Sequence, residues 1–336
     1  MKPRLVLLRS LCVLLLAALA AVAQDPLPSW NDGAAKRAII DFVRTTTDSS
    51  SSNFVPPEQR IAAFDQDGTT WVEQPMYTQI VFALDRVVEL APKHPPWKTT
   101  QPFAAVLSGD KAAMAKFTMK DLEAILTAAQ TGMSVDEFQA IVKDWIAKAR
   151  DPRWKRPFTE LVYEPMLEVM QYLRANGYKT YIVTGGGQDF VRAYAEQVYG
   201  IPPEQVIGSA YELQYTYNKA GQGVLMRPSK LLLNDNFSGK AEDIYLFTGR
   251  HSKAAFGNSN GDQQMLEYTQ AGGGAPLMML VLHDDSQREY AYGPAHGLPD
   301  STIGTFTQAL YDEAKSKGWT VISIKNDWTK IFAWEK

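Results

Sequence analysis

The chain has 336 residues, a nearly balanced charge and a single cysteine, and these features exclude several classes of protein. It carries 34 basic and 37 acidic residues, a net charge of −3, so neither nucleic acid nor an anionic membrane surface is an expected partner. The length is sufficient for a full hydrophobic core, either as one domain with an insertion or as two domains.

The first 23 residues have the pattern of a secretory signal peptide. Lys2, Arg4 and Arg9 lead into an apolar run over 11–20, and residues 21–23 read Ala-Val-Ala, a small-residue cleavage site. The run is too short for a stable transmembrane span, although an uncleaved anchor stays open as an alternative. We therefore expect export, to the periplasm in a Gram-negative bacterium or by secretion otherwise. Cleavage would leave no cysteine and 31 basic against 37 acidic residues, a net charge of −6.

Hydrophobic periodicity and capping residues predict helices and strands that alternate along the chain. In the first half of the chain we predict a helix over 34–43, a strand over 61–64 and a mainly helical stretch over 71–176, with helices at 136–150 and 165–175. In the second half we predict a strand over 179–183, a helix over 188–199, a hairpin over 211–225, strands over 254–256 and 277–282, a helix over 302–317 and a final strand or extended end over 319–322. This alternation predicts an α/β fold with a doubly wound parallel sheet. The helical stretch is too long for one crossover, so we expect an inserted α-helical cap over 71–177, with the core formed by 24–70 and 178–336.

Four short segments carry the residues that could perform chemistry. Asp65 and Asp67 follow the apolar strand 61–64, and open parallel sheets place their sites at the carboxyl ends of strands. One carboxylate can attack phosphorus, and a second can protonate the leaving oxygen. Gly68 would let the backbone approach a phosphate closely. Thr184, with the N–H groups of Gly185 and the following glycine, forms a candidate anion site.

The order of these segments resembles the haloacid dehalogenase superfamily of phosphohydrolases over most of residues 60–283. The fragments over 64–69 and 256–262 look like an exported bacterial branch that is similar to acid phosphatases and phosphoserine phosphatases. The resemblance implies a Rossmann-like core with an inserted helical cap. It further implies that Asp65 is the nucleophile, which forms an aspartyl-phosphate, and that Asp67 is the acid/base.

The resemblance also implies a lysine that stabilises the nucleophile and the transferring phosphoryl group. Lys219, Lys230, Lys240 and Lys253 are candidates, and we favour Lys240 because Gly239-Lys240 resembles the dipeptide that opens a helix in phosphoserine-phosphatase-like relatives.

A Mg²⁺ site is implied as well, with Asp65, Asp67, Asp262 and Asn258 as candidate ligands. The family pattern usually has an aspartate where this chain has Asn258, so either Asp262 becomes the direct ligand or the metal is held more weakly. Glu73 could hold a substrate ammonium, although a hinge or packing role is an equal alternative. The four histidines show no ligand spacing, and we assign none of them to a metal.

These residues favour an exported, Mg²⁺-dependent phosphomonoesterase, because a cap of this length suits small phosphate esters as the partner. One alternative is a haloacid dehalogenase, which would need neither a metal nor Asp67. Phosphonate cleavage would need a Schiff-base lysine from the cap. A third alternative, from another class, is a weakly active or non-catalytic periplasmic binding protein on a phosphatase fold, for which Asn258 is the sole indication.

Overall fold

A computed structural model describes residues 25–335 of the chain, so the predicted signal peptide at 1–23 lies outside the described residues. Within the described range no helix is both long and apolar enough to cross a bilayer. The α-helices are α1 (Ala34–Thr47), α2 (Thr78–Leu90), α3 (Phe103–Ser108), α4 (Lys111–Met114), α5 (Met119–Gln130), α6 (Val135–Lys148), α7 (Glu164–Ala175), α8 (Gln188–Arg192), α9 (Ala195–Tyr199), α10 (Ser238–Thr248), α11 (Gln263–Ala271), α12 (Gln308–Ser316) and α13 (Ile324–Asp327). The strands are β1 (Ile61–Phe64), β2 (Lys179–Gly187), β3 (Val206–Tyr211), β4 (Gln214–Tyr217), β5 (Gly223–Met226), β6 (Leu231–Leu233), β7 (Ala254–Gly257), β8 (Leu277–Leu282) and β9 (Thr320–Ser323).

Between residues 25 and 335, seven strands form one sheet in the order β6-β3-β2-β1-β7-β8-β9, and β4 and β5 form a separate hairpin. The neighbouring strands from β3 to β9 are parallel, whereas β6 pairs with β3 in the antiparallel direction. With helices joining the parallel strands, the predicted α/β class with a doubly wound sheet is confirmed.

The strands β1, β7 and β8 are apolar along their whole length because helices cover both faces of a parallel sheet. Every residue of β1, β7 and β8 is buried. The rings of Phe64 and Phe256 stack with their centroids 4.4 Å apart, at the points where β1 and β7 approach their carboxyl ends. This packing fixes the two strands in register and therefore fixes the loops that follow them.

The long segment between β1 and β2 packs in two different places. The helix α7 belongs with the sheet, since its buried side chains Met166, Val169 and Leu173 lie in the same apolar cluster as Phe64 and Ile182. A separate cluster joins α2, α3 and α5, and its buried members are Ala83, Val87, Val106, Ile125 and Ala129. The division into a core and a cap over 71–177 stays a prediction, but α7 packs as a crossover helix would.

Two helices of this segment begin with capping side chains that are recognisable in the sequence. Thr118 and Ser134 each form a capping box, the first with Asp121 and the second with Glu137. Each box satisfies N–H groups that the first turn of a helix otherwise leaves without partners. The starts of α5 and α6 are therefore determined by local sequence.

Candidate active site

The predicted site residues converge at the carboxyl ends of three adjacent parallel strands. Asp65 directly follows β1, Thr184 lies near the end of β2, and Asn258 directly follows β7. The N–H of Asp65 donates to the carbonyl oxygen of Phe256 at 2.9 Å, which continues the pairing of β1 with β7 by one residue. The sheet itself therefore holds the first and fourth segments side by side.

Lys240, in the first turn of α10, is buried with 2% of its surface exposed and contacts the proposed nucleophile. Its Nζ donates to Asp65 Oδ1 at 2.5 Å, to Asp262 Oδ1 at 2.6 Å and to the carbonyl oxygen of Val183 at 3.0 Å. Burial alone would lower the pKa of Lys240, but Asp262, Asp65 and Asp235 outweigh burial and raise it. The ammonium is therefore charged at neutral pH.

The other lysine candidates lie elsewhere. Lys230 is exposed and pairs with Glu212, and Lys253 donates to the carbonyl oxygen of Gly272. Lys219 is exposed in the turn between β4 and β5. Of the four candidates, Lys240 is thus the one that the fold brings to Asp65.

Both carboxylate oxygens of Asp262 are engaged within the site. Oδ1 accepts from Lys240, and Oδ2 accepts from the N–H groups of Asn258 and Ser259 at 3.0 Å each. Asp262 therefore shapes the loop after β7 and holds Lys240 in place. Its role as a metal ligand stays a prediction.

Asp67 is oriented by the indole of Trp71, whose Nε1 donates to Asp67 Oδ1 at 2.6 Å. Burial raises the pKa of Asp67 to about 6, against the lowering effects of Trp71 and Lys240. A carboxyl group with this pKa exists in both protonation states near neutral pH, as a group that gives and then takes a proton requires.

Asp65 carries the second perturbed carboxylate. Burial and then the charge of Asp262 raise the pKa of Asp65, and the charge and hydrogen bond of Lys240 oppose both effects. The buried carboxylates of Asp65 and Asp262 thus share one ammonium, and the partly buried Asp67 follows two residues after Asp65. A site with this excess of negative charge favours the binding of a cation.

The loop around Thr184 differs in detail from the prediction. We expected a helix to begin at about Gly185, so that its first N–H groups could bind phosphate. Instead β2 continues to Gly187, and α8 begins at Gln188, about one turn later. The N–H of Gly186 donates to Thr184 Oγ1 at 3.0 Å, so this N–H is already engaged. Gly185 is exposed. The phosphate-binding roles of Thr184, Gly185 and Gly68 stay predictions.

Glu73 occupies a place that the sequence did not predict. Its side chain is buried with 2% of its surface exposed, and Oε1 accepts from Asn258 Nδ2 and from the Tyr292 hydroxyl, both at 2.7 Å. Burial raises the pKa of Glu73 well above its ordinary value, and the charges of Asp67 and Asp65 raise it further, whereas the Tyr292 hydrogen bond opposes this. In this arrangement the Glu73 carboxyl group is buried among protein side chains, which fits the packing alternative, and its role toward a substrate ammonium stays a prediction.

Two oxygens in the site fit the chemistry of a Mg²⁺ ligand set. Asp65 Oδ2 and Asn258 Oδ1 both lie 3.1 Å from the hydroxyl of Thr69. A hydroxyl has one proton, so it can donate to one of these oxygens at a time and leaves the other with a lone pair for a cation. Hard oxygen donors of this kind suit Mg²⁺. Among residues 25–335 no group of three or more His, Cys, Asp or Glu side chains is arranged to hold a metal ion.

A buried histidine was missed by the sequence analysis as a site residue. His283 Nε2 lies 2.7 Å from the carbonyl oxygen of Gly68, and Nδ1 lies 3.0 Å from Glu289 Oε2. A carbonyl oxygen only accepts, so Nε2 carries the proton and the histidine anchors the loop that contains Asp67. His283 follows the end of β8, and this position at the same edge of the sheet is the signal that could have found it.

Comparison with known proteins identifies the class of this molecule. A family model described as haloacid dehalogenase-like hydrolase matches residues 62–267, more than half of the chain. The chain therefore belongs to the haloacid dehalogenase-like hydrolase family, and the predicted superfamily is confirmed. No curated protein matches the chain.

Several solved structures are similar to this chain. A conserved protein of unknown function from Anaerococcus prevotii DSM 20548 is 14% identical, with 75% of this chain and 86% of that chain covered and a TM-score of 0.49. A protein of unknown function from Bordetella pertussis Tohama I is 15% identical over 79% of this chain and 98% of that chain, with a TM-score of 0.47. A phosphoserine phosphohydrolase-like protein from Francisella tularensis subsp. tularensis SCHU S4 is 15% identical over 67% of this chain and 88% of that chain, with a TM-score of 0.37.

Proposed function

We propose that this hydrolase is an exported, Mg²⁺-dependent phosphomonoesterase that hydrolyses small phosphate esters through an aspartyl-phosphate on Asp65. The observation that carries the proposal is the contact between the carboxylate of Asp65 and the ammonium of Lys240 at 2.5 Å. Asp67, the proposed acid/base, follows two residues later and is oriented by the Trp71 indole. A nucleophile, a fixed cation and a proton donor at one edge of a sheet are the parts that phosphoryl transfer needs.

In the first half of the reaction, an Asp65 oxygen attacks phosphorus while the bond from phosphorus to the ester oxygen breaks. Asp67, in its acid form, gives its proton to that oxygen, and the alcohol leaves. In the second half, Asp67 takes a proton from water as the water oxygen attacks phosphorus. The bond between phosphorus and Asp65 then breaks, which releases inorganic phosphate and restores both carboxyl groups.

Lys240 supports both halves because its ammonium stays next to Asp65 and can neutralise charge on the phosphoryl oxygens. Mg²⁺, when bound, would supply further neutralisation of these oxygens. The groups that would hold it are Asp65, the Asp67 carbonyl oxygen and Asn258, with Asp262 keeping Lys240 and the loop in position.

Export and the substrate class are supported by the sequence. The signal-peptide pattern at 1–23 favours a periplasmic or secreted enzyme. A helical segment as long as 71–177 is consistent with a cap that encloses small substrates. An exported enzyme of this kind would release phosphate for uptake.

The experiment is hydrolysis of p-nitrophenyl phosphate by the chain from Gln24, with Mg²⁺ and with EDTA. We expect turnover that EDTA removes and Mg²⁺ restores, and we expect Asp65→Asn to abolish it while the far-ultraviolet circular dichroism spectrum is unchanged. Turnover that survives in Asp65→Asn would refute the mechanism. A folded wild-type protein without turnover on any phosphomonoester would favour the binding-protein alternative.

A further inference from the structure

The amide of Asn258 is held from both ends by buried side chains. Its Nδ2 donates to Glu73 Oε1 at 2.7 Å, and its Oδ1 accepts from the Thr69 hydroxyl at 3.1 Å. An amide has one donor end and one acceptor end, so these partners determine which end faces Asp65. With Glu73 on the nitrogen, the oxygen is directed to the hydroxyl that also contacts Asp65.

We propose that Glu73 is a positioning residue for the metal site, which fixes the Asn258 amide with its oxygen directed toward Asp65. The proposal rests on the proposed function, since it assumes that a divalent cation binds beside Asp65. It gives a reason for the departure from the family pattern: an asparagine can replace the usual aspartate because a carboxylate behind it determines its orientation. Partners of this kind commonly change metal affinity by about 10- to 100-fold.

The space around Glu73 fits this carboxylate closely. A Cβ atom at Gly68 would lie 2.3 Å from Glu73 Oε1, and one at Gly304 would lie 1.8 Å from the same atom. The Tyr292 hydroxyl donates to that oxygen as well, and the Tyr292 ring stacks on His283 with centroids 4.3 Å apart. Two glycines therefore leave the space that Glu73 occupies beside Asn258, and the Tyr292 hydroxyl donates to the same oxygen that accepts from Asn258.

The donor and acceptor of this pair can be exchanged, which provides a specific test. In Glu73→Gln the new amide can present either its oxygen or its nitrogen to Asn258, so the pair can form its hydrogen bond in two orientations and the orientation of Asn258 is no longer determined. In the double variant Glu73→Gln with Asn258→Asp, the glutamine nitrogen donates to the aspartate and the contact is restored in reverse. The effect of Glu73→Gln should therefore depend on the residue at 258.

The experiment measures Mg²⁺ binding without substrate, by isothermal titration calorimetry on the chain from Gln24. Four proteins are compared: wild type, Glu73→Gln, Asn258→Asp and the double variant. We expect Glu73→Gln to weaken Mg²⁺ binding about tenfold or more when residue 258 is asparagine, and not to weaken it when residue 258 is aspartate. An equal effect in both backgrounds, or none in either, would overturn the proposal, as would a wild-type protein that does not bind Mg²⁺.

Two further variants separate positioning from damage to the fold. Glu168→Gln is a matched control, since Glu168 on α7 is a buried carboxylate that accepts from the N–H of Ser29 near the start of the described chain. The Mg²⁺ affinity of this variant should equal that of the wild type. Tyr292→Phe keeps the ring and removes the second donor to Glu73, so it should weaken Mg²⁺ binding less than Glu73→Gln does. If Glu73→Gln does not fold, an unchanged affinity in Tyr292→Phe overturns the proposal.

Failure of this inference is distinguishable from failure of the proposed function. Phosphatase turnover that EDTA removes, together with an Mg²⁺ affinity that Glu73→Gln does not change, would refute the role of Glu73 alone. The expected pattern of Mg²⁺ affinities in a protein that hydrolyses no phosphate ester would refute the proposed function alone.

Discussion

Replacement of Lys240 by methionine should destabilise the protein strongly, because it breaks a buried ion pair. In the folded protein Lys240 Nζ contacts Asp65 at 2.5 Å and Asp262 at 2.6 Å, and its side chain is 2% exposed. Removal of one partner from a buried pair leaves an uncompensated charge and costs about 3–5 kcal/mol. Methionine has a similar volume, so a cavity adds little to this cost.

The matched comparison is Lys230→Met. Lys230 contacts Glu212 at the same distance of 2.6 Å, but its side chain is 75% exposed and that of Glu212 is 38% exposed. An exposed pair contributes about 0–1 kcal/mol, because water screens the charges. Both substitutions remove an ammonium from a carboxylate at 2.6 Å, but Lys240 is buried and contacts a second carboxylate, that of Asp65.

The assay is urea unfolding at neutral pH, followed by tryptophan fluorescence, with the free energy of unfolding extrapolated to water. We expect Lys240→Met to lose several kcal/mol and Lys230→Met to lose less than about 1 kcal/mol. Equal losses would refute the reasoning, since they would show that the burial of the Asp65–Lys240–Asp262 contacts has no energetic consequence.

Three further predictions follow from individual contacts. Gly68→Ala should lose roughly 1–3 kcal/mol of unfolding free energy and most Mg²⁺-dependent turnover. The reason is that φ at Gly68 is +78° and the new Cβ would lie 2.1 Å from Asn258 Nδ2. Normal turnover in this variant would contradict the prediction. Trp71→Phe should reduce kcat roughly tenfold or more with little change in KM, since it removes the donor that orients Asp67; an unchanged kcat would be inconsistent with that role. Burial raises the pKa of Asp285, but the hydrogen bond and charge of Arg288 outweigh burial, so the pKa lies below its usual 3.8. The contribution of the Asp285–Arg288 pair to stability is therefore complete above pH 3.8 and is lost as the pH falls through the folded-state pKa. Asp285→Asn should therefore cost about 1 kcal/mol at pH 7, and urea titrations should show the difference from wild type shrinking below pH 3.8; a difference that grew in acid would show the sign to be wrong.

The strands at the centre of the sheet could be predicted from sequence, whereas those at one edge could not. β1, β7 and β8 are uninterrupted apolar runs, since both their faces are buried. β3 contains Gly208, at which a Cβ would lie 2.9 Å from the Gly186 carbonyl oxygen, so a contact with β2 determines this residue. β6 has three residues, of which Leu231 and Leu232 are exposed, so it shows no burial pattern.

Two helix boundaries differ from the prediction. The helix predicted over 302–317 begins at Gln308, because Thr307 caps it by accepting from the N–H of Leu310. The segment before it is a loop that brings Gly304 against Glu73. The helix predicted over 188–199 is divided into α8 and α9.

The candidate site shows the same distinction. Asp65, Thr184 and Asn258 were predictable because each follows or ends an apolar strand, and parallel strands bring such residues together. The contact between Glu73 and Asn258 spans 185 positions in the sequence, and His283 reaches Gly68 over 215 positions. No local sequence pattern encodes contacts of this range. The roles of Glu73 and His283 in holding the loops could therefore be identified only from the folded structure.

The central claim is that Asp65 forms a covalent phosphoenzyme, and rapid acid quenching during turnover tests it most directly. Wild-type protein, mixed with a phosphomonoester and Mg²⁺ and quenched within one turnover, should carry phosphate on the peptide that contains Asp65. The Asp67→Asn variant should accumulate this species, because it loses the base that activates water for its hydrolysis. Rapid turnover with no phosphate on that peptide, in either protein, would contradict the account.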